Sequence, residues 1–347
     1  MDWGAILETI FRGLIGEQFV YFGLAAIGLN LHFGFTGLLN FGQAAFMAAG
    51  AYGLAIIVTT LAPRINDDEG MFQLNIGEGW MFVIGVFFGV IVFPIVLALL
   101  MGIPTLRLRA DYLAIVTIAV AEIIRITMRS PRWDWFTGAS DGLSGFSRTF
   151  YDLSPFDPGG RYFFNLFIGN QFFLVLVGWA VLAVSALICW LIIRSPWGRV
   201  LKAIREDEDA ARALGKNAYS YKMQALILGG IFGAIGGMLR AIGFSLAQPD
   251  NFITDVTFFV WVALILGGAG KVLAPLVGAG ILYAVLNGTD AFLREAVAND
   301  VISDELLSGT QVGQVRFMLM GLLLALLAAF RPQGIFGNKE EMALDDR

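Results

Sequence analysis

Trp80-Met81-Phe82-Val83-Ile84-Gly85-Val86-Phe87-Phe88-Gly89-Val90-Ile91-Val92-Phe93-Pro94-Ile95-Val96-Leu97-Ala98-Leu99-Leu100-Met101 runs on without a single charged residue. A helix needs roughly 17 to 25 mostly apolar residues to cross a bilayer, so this stretch predicts a membrane span. Outer-membrane strands would alternate apolar and polar residues, whereas this stretch is apolar on every face, which sets a barrel aside. Comparable stretches run from Phe41 to Leu61, Tyr112 to Met128, Phe172 to Ile193, Met223 to Phe244 and Arg316 to Phe330. Phe19 to Phe33 is shorter, and Gly267-Gly268-Ala269-Gly270-Lys271 divides Phe252–Leu266 from Val272–Asn287, which predicts bent, broken or re-entrant helices. Trp3 to Gly16, interrupted by Glu8 and Arg12, is open between crossing, lying on the surface and extending the next helix. The expected fold is an all-α polytopic bundle of about eight or nine transmembrane helices, one domain over 1–347.

The composition agrees. Of 347 residues, 57% are hydrophobic and 15% charged, with a mean hydropathy of +0.73, whereas soluble domains are about a quarter charged. With 23 basic against 28 acidic residues and a pI near 5.0 there is no footprint for nucleic acid. One cysteine, Cys189, and one histidine, His32, exclude the usual Cys/His metal clusters, and no metal site is expected. Basic residues mark cytoplasmic loops. Arg194, Arg199, Lys202, Arg205, Arg212, Lys216 and Lys222 therefore place the 194–222 loop in the cytoplasm. Alternation then puts Arg107, Arg109 and the 331–347 tail on the same side. It leaves the long 129–170 loop and the acidic stretches Asp67 to Glu78 and Asp290 to Glu305 outside.

Glycines recur every fourth residue at Gly229, Gly233 and Gly237, and again at Gly85 and Gly89, a spacing that lets helices approach closely in lipid. Asn30, Thr36, Asn40 and Gln43 cluster in a glycine-rich, otherwise apolar stretch. Irregular backbone at membrane depth is tolerated only inside protein or beside a water-filled cavity, so these four are candidates for a translocation pathway, with helix–helix hydrogen bonding the equal alternative. Glu122 falls near mid-membrane if its helix starts at Asp111, and Arg125 lies three residues on, placed to pair with it. Intramembrane charges are functional candidates by default. A structural ion pair is the plainer reading, and a proton or sodium relay in a secondary transporter the rival. Trp133, Trp135, Phe136, Phe146, Phe150 and Tyr151 crowd the outer loop, either as an interfacial belt or as an anchor for a partner.

The stretch Ala203-Ile204-Arg205-Glu206-Asp207-Glu208-Asp209-Ala210-Ala211-Arg212-Ala213-Leu214-Gly215 predicts a short cytoplasmic surface helix ending at a C-cap glycine. Its face of Ile204, Ala210, Ala211 and Leu214, bordered by charge, suits a groove on another protein. Asp209-Ala210-Ala211-Arg212-Ala213-Leu214-Gly215 resembles the EAA-x-x-x-G loop through which ABC-importer permeases contact their ATPases, with aspartate in place of glutamate. Further blocks stand in matching order: Gly28-Leu29-Asn30-Leu31, Gly34-Phe35-Thr36-Gly37-Leu38-Leu39-Asn40-Phe41-Gly42-Gln43, Leu106-Arg107-Leu108-Arg109-Ala110-Asp111-Tyr112, Ser195-Pro196-Trp197-Gly198-Arg199 and Phe330-Arg331-Pro332-Gln333-Gly334. Together they resemble branched-chain amino-acid ABC permeases of the LivM type. Departures fall mainly in the external segments Arg64 to Gly79, Arg129 to Asn170 and Thr289 to Gln314.

The resemblance implies a permease subunit of the bacterial cytoplasmic (inner) membrane. Its expected partners are a homologous LivH-type permease, two cytoplasmic ABC ATPases and an extracytoplasmic substrate-binding protein. It implies that Arg205, Glu206, Asp207, Asp209, Ala210, Ala211, Leu214 and Gly215 form the ATPase-coupling segment. The cargo it suggests is a branched-chain amino acid, with urea, short amides and other amino acids as alternatives. No cofactor is expected in this chain, ATP and Mg being held by the ATPases. The residues agree on one point: Gly270-Lys271 lacks the P-loop spacing, because Ile265 and Val272 stand where that motif needs Gly and Ser or Thr. A subunit without catalytic residues of its own is the expectation.

Overall fold

The computed structural model describes residues 2–63, 77–108, 110–299, 311–330 and 333–337. The fold is helical, and among the described residues seven helical rods are long and apolar enough to cross a membrane. These are Trp3–Gly34, Gln43–Leu61, Glu78–Thr105, Gly169–Arg194, Ala218–Phe244, Pro249–Gly267 and Ala274–Ala298. Two more helices, Ala110–Arg129 and Val312–Phe330, have 20 and 19 residues. Ala110–Arg129 is the one that carries Glu122 and Arg125 among its apolar residues. Among the described residues, then, seven helices meet the length and hydropathy of a span, near the eight or nine expected, with these two beside them. Arg109, most of the acidic outer stretches, and 331, 332 and 338–347 of the tail lie outside the described residues.

Trp3 to Gly16 extends the next helix. Its rod is interrupted only at Gly16, whose extended backbone separates Trp3–Ile15 from Glu17–Leu29. Asp2 caps the start, its Oδ1 accepting from the amides of Gly4 and Ala5. The glycine-rich 268–273 segment is a corner rather than a break within one span. Gly267 lies against the Ala274 carbonyl and Gly278 against that of Ala263, so the flanking helices run antiparallel as a hairpin. Irregular helix occurs instead at three π-helical turns, Asn30–Gly34, Ile56–Leu61 and Phe88–Val92.

Small residues set the packing at the centre. A β-carbon at Gly237 would stand 2.0 Å from the Met47 carbonyl oxygen, and one at Gly233 2.4 Å from Gln43 Nε2. Gly233 and Gly237 are thus the seat of the Gln43–Ala55 helix, which is buried along its whole length, while Gly229 lies against His32 and the Gly28 carbonyl of the first rod. Gly89 meets the Gly50 carbonyl in the same way, closing the other side. In lipid such close backbone approach replaces the hydrophobic drive that soluble helices use.

The two ends of the bundle differ. At the basic end lie the 194–217 loop, the 34–42 segment, the 268–273 corner and Gln333–Gly337. The amides of Ile335 and Phe336 donate to the carbonyls of Leu266 and Gly267 at 3.0 Å, docking the tail on the corner. At the other end the 130–168 segment folds back over the helix ends. Leu143–Ser144 pairs antiparallel with Leu246–Ala247, Ser147 bonds Ser245 at 2.9 Å, and Tyr151 donates to the Ile242 carbonyl at 3.1 Å. Phe146 and Phe150 are buried beneath it, while Trp133 and Trp135 stay exposed. The aromatic residues of this loop therefore divide: one set holds the loop to the bundle, and the tryptophans face outward.

Candidate functional site

The 194–217 loop is two helices rather than one. Pro196–Glu206 ends where Asp207 turns extended, and Asp207 then caps Glu208–Ala213, its Oδ1 accepting from the amides of Asp209 and Ala210 at 2.9 Å. An aspartate able to bond the next turn's free amides competes with helix continuation, which is why a single helix over Ala203 to Gly215 does not form. The C-terminus closes as expected. Gly215 has φ +79°, its amide donates to the Arg212 carbonyl, and that of Lys216 donates to Ala211, a Schellman motif.

This break rotates the predicted face. Ile204 and Ala211 are 3% and 4% exposed and pack with Ala218 against the foot of the Ala218–Phe244 helix. Glu206, Asp207, Asp209, Ala210, Leu214 and Gly215 are exposed, Leu214 at 80%. The corner is anchored from behind. Lys222 pairs with Glu208, which also bonds Arg212 at 2.6 Å. Arg205 reaches 2.6 Å to the Gly34 carbonyl, tying the loop to the π-turn at the end of the first rod. Arg205 is thus a tether facing the bundle, and the exposed residues form an acidic corner with Ala210 and Gly215 on it and one protruding leucine.

Behind that tether the four polar candidates converge. Asn30, Thr36, Asn40 and Gln43 are each at most 2% exposed. Asn30 accepts from the Gly270 amide and donates to the Lys271 carbonyl, both at 3.0 Å, joining the first rod to the glycine corner. Gln43 donates to the Ala25 carbonyl at 3.1 Å, and Thr36 to that of Leu31 at 2.8 Å. Asn40 Nδ2 lies 3.0 Å from His32 Nδ1, and His32 Nε2 lies 3.1 Å from the Leu226 carbonyl. A carbonyl only accepts, so Nε2 carries the proton and Nδ1 accepts from Asn40.

The non-helical 37–42 segment is satisfied at nearly every amide that the helices leave open. Leu38 donates to the His32 carbonyl, Phe41 to Thr117 Oγ1, Gly42 to Asn40 Oδ1, and Ala44 to Thr257 Oγ1. Trp261 Nε1 donates to the Asn40 carbonyl, with its ring stacked on Phe41 at 4.7 Å. Irregular backbone is tolerated at membrane depth where its polar groups are satisfied inside the protein in this way. His32, Thr117, Thr257 and Trp261 complete this hub. His32, beside the glycine-rich bend, reads from the sequence as a satisfied buried polar group, and it is one; nothing marked Thr117, Thr257 and Trp261, whose partners lie on distant segments.

Glu122 and Arg125 lie apart, toward the opposite end. Arg125 Nε bonds both Glu122 oxygens at 3.0 and 3.1 Å, and its Nη1 reaches Asp250 at 2.7 Å. Arg129 joins Asp250 at 3.3 Å. Two acids and two bases balance one another, linking Ala110–Arg129 to the Pro249–Phe252 turn. That is the arrangement of a structural ion cluster. Asp250, absent from the sequence-based candidates, is its cross-helix member.

A polytopic helical bundle around a buried polar hub, with a loop at its basic end tethered to that hub by Arg205, defines the class: a multi-pass membrane protein. Residues 13–328 match the family described as branched-chain amino acid transport system / permease component, and the chain belongs to that family. It is 29% identical over 324 residues to the high-affinity branched-chain amino acid transport system permease protein LivM of Escherichia coli K12, covering 90% of this chain and 67% of that one. A probable branched-chain amino acid transport permease protein LivM of Methanocaldococcus jannaschii is 24% identical, with 94% of each chain covered. An autoinducer 2 import system permease protein LsrC of Klebsiella pneumoniae is 28% identical over 61% of this chain. No solved structure matches the chain. The chain is accordingly a multi-pass permease component of a transport system and not an enzyme.

Proposed function

We propose that the chain forms half of the membrane pathway of an ABC importer for branched-chain amino acids in a bacterial cytoplasmic membrane. In this reading a homologous LivH-type permease forms the other half, and an external binding protein delivers cargo. Two cytoplasmic ATPases hold ATP and Mg and dock on the Asp207 to Gly215 corner. The observation that carries the cargo is coverage: the likeness to LivM permeases spans nine-tenths of the chain, whereas the autoinducer relative matches about three-fifths.

The geometry supports a mechanical division of labour. A push on the exposed corner is resisted by Arg205 at the Gly34 carbonyl, and from there by Asn30 at the Gly270 amide and Lys271 carbonyl. Motion of the loop is thus carried into the first rod and the 268–273 corner together. Asn30, Thr36, Asn40 and Gln43 act along this route as the closed inner end of the pathway, where a sealed hydrogen-bonded hub blocks passage until the corner moves. Glu122 and Arg125 hold its outer end.

The test is uptake by proteoliposomes carrying the complete importer. Leucine accumulation is expected to require ATP and binding protein and to ignore an imposed proton or sodium gradient. Accumulation driven by a gradient without ATP would overturn the reading in favour of ion coupling.

A further inference from the structure

A cavity of about 450 Å3 opens between the Trp3–Gly34 rod, the outer end of Ala218–Phe244, the Pro249–Phe252 turn and the helices Ala274–Ala298 and Val312–Phe330. That lies within the 300 to 1,000 Å3 typical of small-molecule sites. It is distinct from the hub and from the ATPase corner, and no role described above uses its residues apart from Asp250.

Its charges are unusual. Arg240 is held by the Asn251 carbonyl and lies over three aromatic rings, Phe22, Phe244 and Phe252, at 5.4 to 5.8 Å from their centroids. Among the described residues no carboxylate lies within ion-pair distance of it. A guanidinium at membrane depth without a counter-ion is costly and marks a functional site by default. On another wall Asp255, in the first turn of Thr254–Gly267, also has no ion-pair partner among the described residues. Asp250 differs, being engaged by Arg125 and Arg129. The remaining walls are largely apolar: Phe22 packs on Tyr283 at 4.8 Å, and Phe259 lies between Phe22 and Phe317. Tyr21, also in the wall, keeps a buried hydroxyl with no hydrogen-bond partner.

The geometry points to this cavity as a transit site for a zwitterionic α-amino acid with an apolar side chain, its carboxylate on Arg240, its ammonium toward Asp255 and its side chain among the phenylalanines. One cation and one anion, both lining the same aromatic cavity and both without an ion-pair partner among the described residues, match that chemistry, and a neutral amide or a sugar would leave both charges uncompensated. Arg240 already spends one donor on the Asn251 carbonyl, and a guanidinium has five, so a carboxylate binds without breaking that contact. This inference rests on the amino-acid reading of the preceding section.

The experiment uses the single native thiol to advantage. Cys189 is 1% exposed, so Ile253→Cys in the cavity wall supplies the reactive thiol. In nanodiscs carrying the permease complex without binding protein, labelling of that thiol by a charged methanethiosulfonate is followed with leucine, leucinol or hexanoate added at millimolar concentration. Leucine is expected to slow labelling about tenfold, equivalent to about 1.4 kcal/mol. Leucinol, which lacks the carboxylate, and hexanoate, which lacks the ammonium, are expected to slow it little. Arg240→Met should abolish the protection and Arg240→Lys should keep part of it. Equal protection by hexanoate would assign the cavity to fatty-acid carboxylates and overturn the proposal, as would equal protection by leucinol or none by leucine. ATP-driven leucine uptake is measured in parallel for the Ile253→Cys importer and for the unsubstituted one. Uptake without protection refutes the cavity alone, and loss of uptake in the unsubstituted importer refutes the cargo.

Discussion

Replacing Leu214 by alanine tests the docking corner directly. The leucine is 80% exposed at the apex of the Schellman turn, so nothing inside the subunit holds it and a partner groove is where its apolar surface can be buried. The substitution deletes three carbons, worth about 0.8 kcal/mol each on full burial. Scaled by the exposed fraction, the loss is about 1.9 kcal/mol, or roughly 25-fold in affinity at about 1.4 kcal/mol per factor of ten. Titration of the purified ATPase subunits onto nanodisc-embedded permease, read by surface plasmon resonance, gives that affinity. The substitution leaves the fold intact, since no described contact depends on the side chain. Ala211→Glu is the informative contrast. Ala211 packs inward with Ile204 and Ala218, so a carboxylate there unseats the loop and lowers the subunit's own thermal stability as well as its association. An affinity for Leu214→Ala within twofold of the unsubstituted protein would refute the corner as the contact.

Gly237→Val drives a side chain into the Met47 carbonyl, and overpacking of that kind costs about 1 to 3 kcal/mol, visible as a lower melting temperature in detergent. Glu122→Gln leaves Arg125 paired with Asp250, so ATP-driven uptake in proteoliposomes is expected to stay within twofold; loss of uptake would restore a coupling role for the carboxylate. Tyr151 in the outer loop has its hydroxyl pushed up to about 12 by burial. An unfolded tyrosine ionises near 10, so the folded state holds its proton longer. This contribution to stability is complete below pH 10 and is lost as pH rises toward 12. Melting temperatures between pH 9 and 12 should fall less steeply in Tyr151→Phe, and identical slopes would contradict the burial.

Composition and periodicity determined the class of this protein. Long charge-free runs have few solutions in a bilayer, where every backbone group must bond within its own helix, so spans and the basic end are legible one residue at a time. The glycine stripe at Gly229, Gly233 and Gly237 is read in the same local way, as is the C-cap at Gly215. Local spacing also brought Glu122 to Arg125, because both lie on one helix. Only the tertiary structure decided which way a side chain works. The Asp207 cap breaks the loop helix and turns Ile204 and Ala211 inward, leaving Leu214 outside. Asn40 became a member of a buried hub through His32 and Trp261, and its neighbours Phe41 and Ala44 through Thr117 and Thr257, residues up to 221 positions away in the chain. Arg240 and Asp255 line one cavity, which no spacing rule connects. Hydrogen bonds and cavities act over a few ångströms in space, and in a bundle folded back on itself that distance is set by which helices pack together rather than by separation along the sequence.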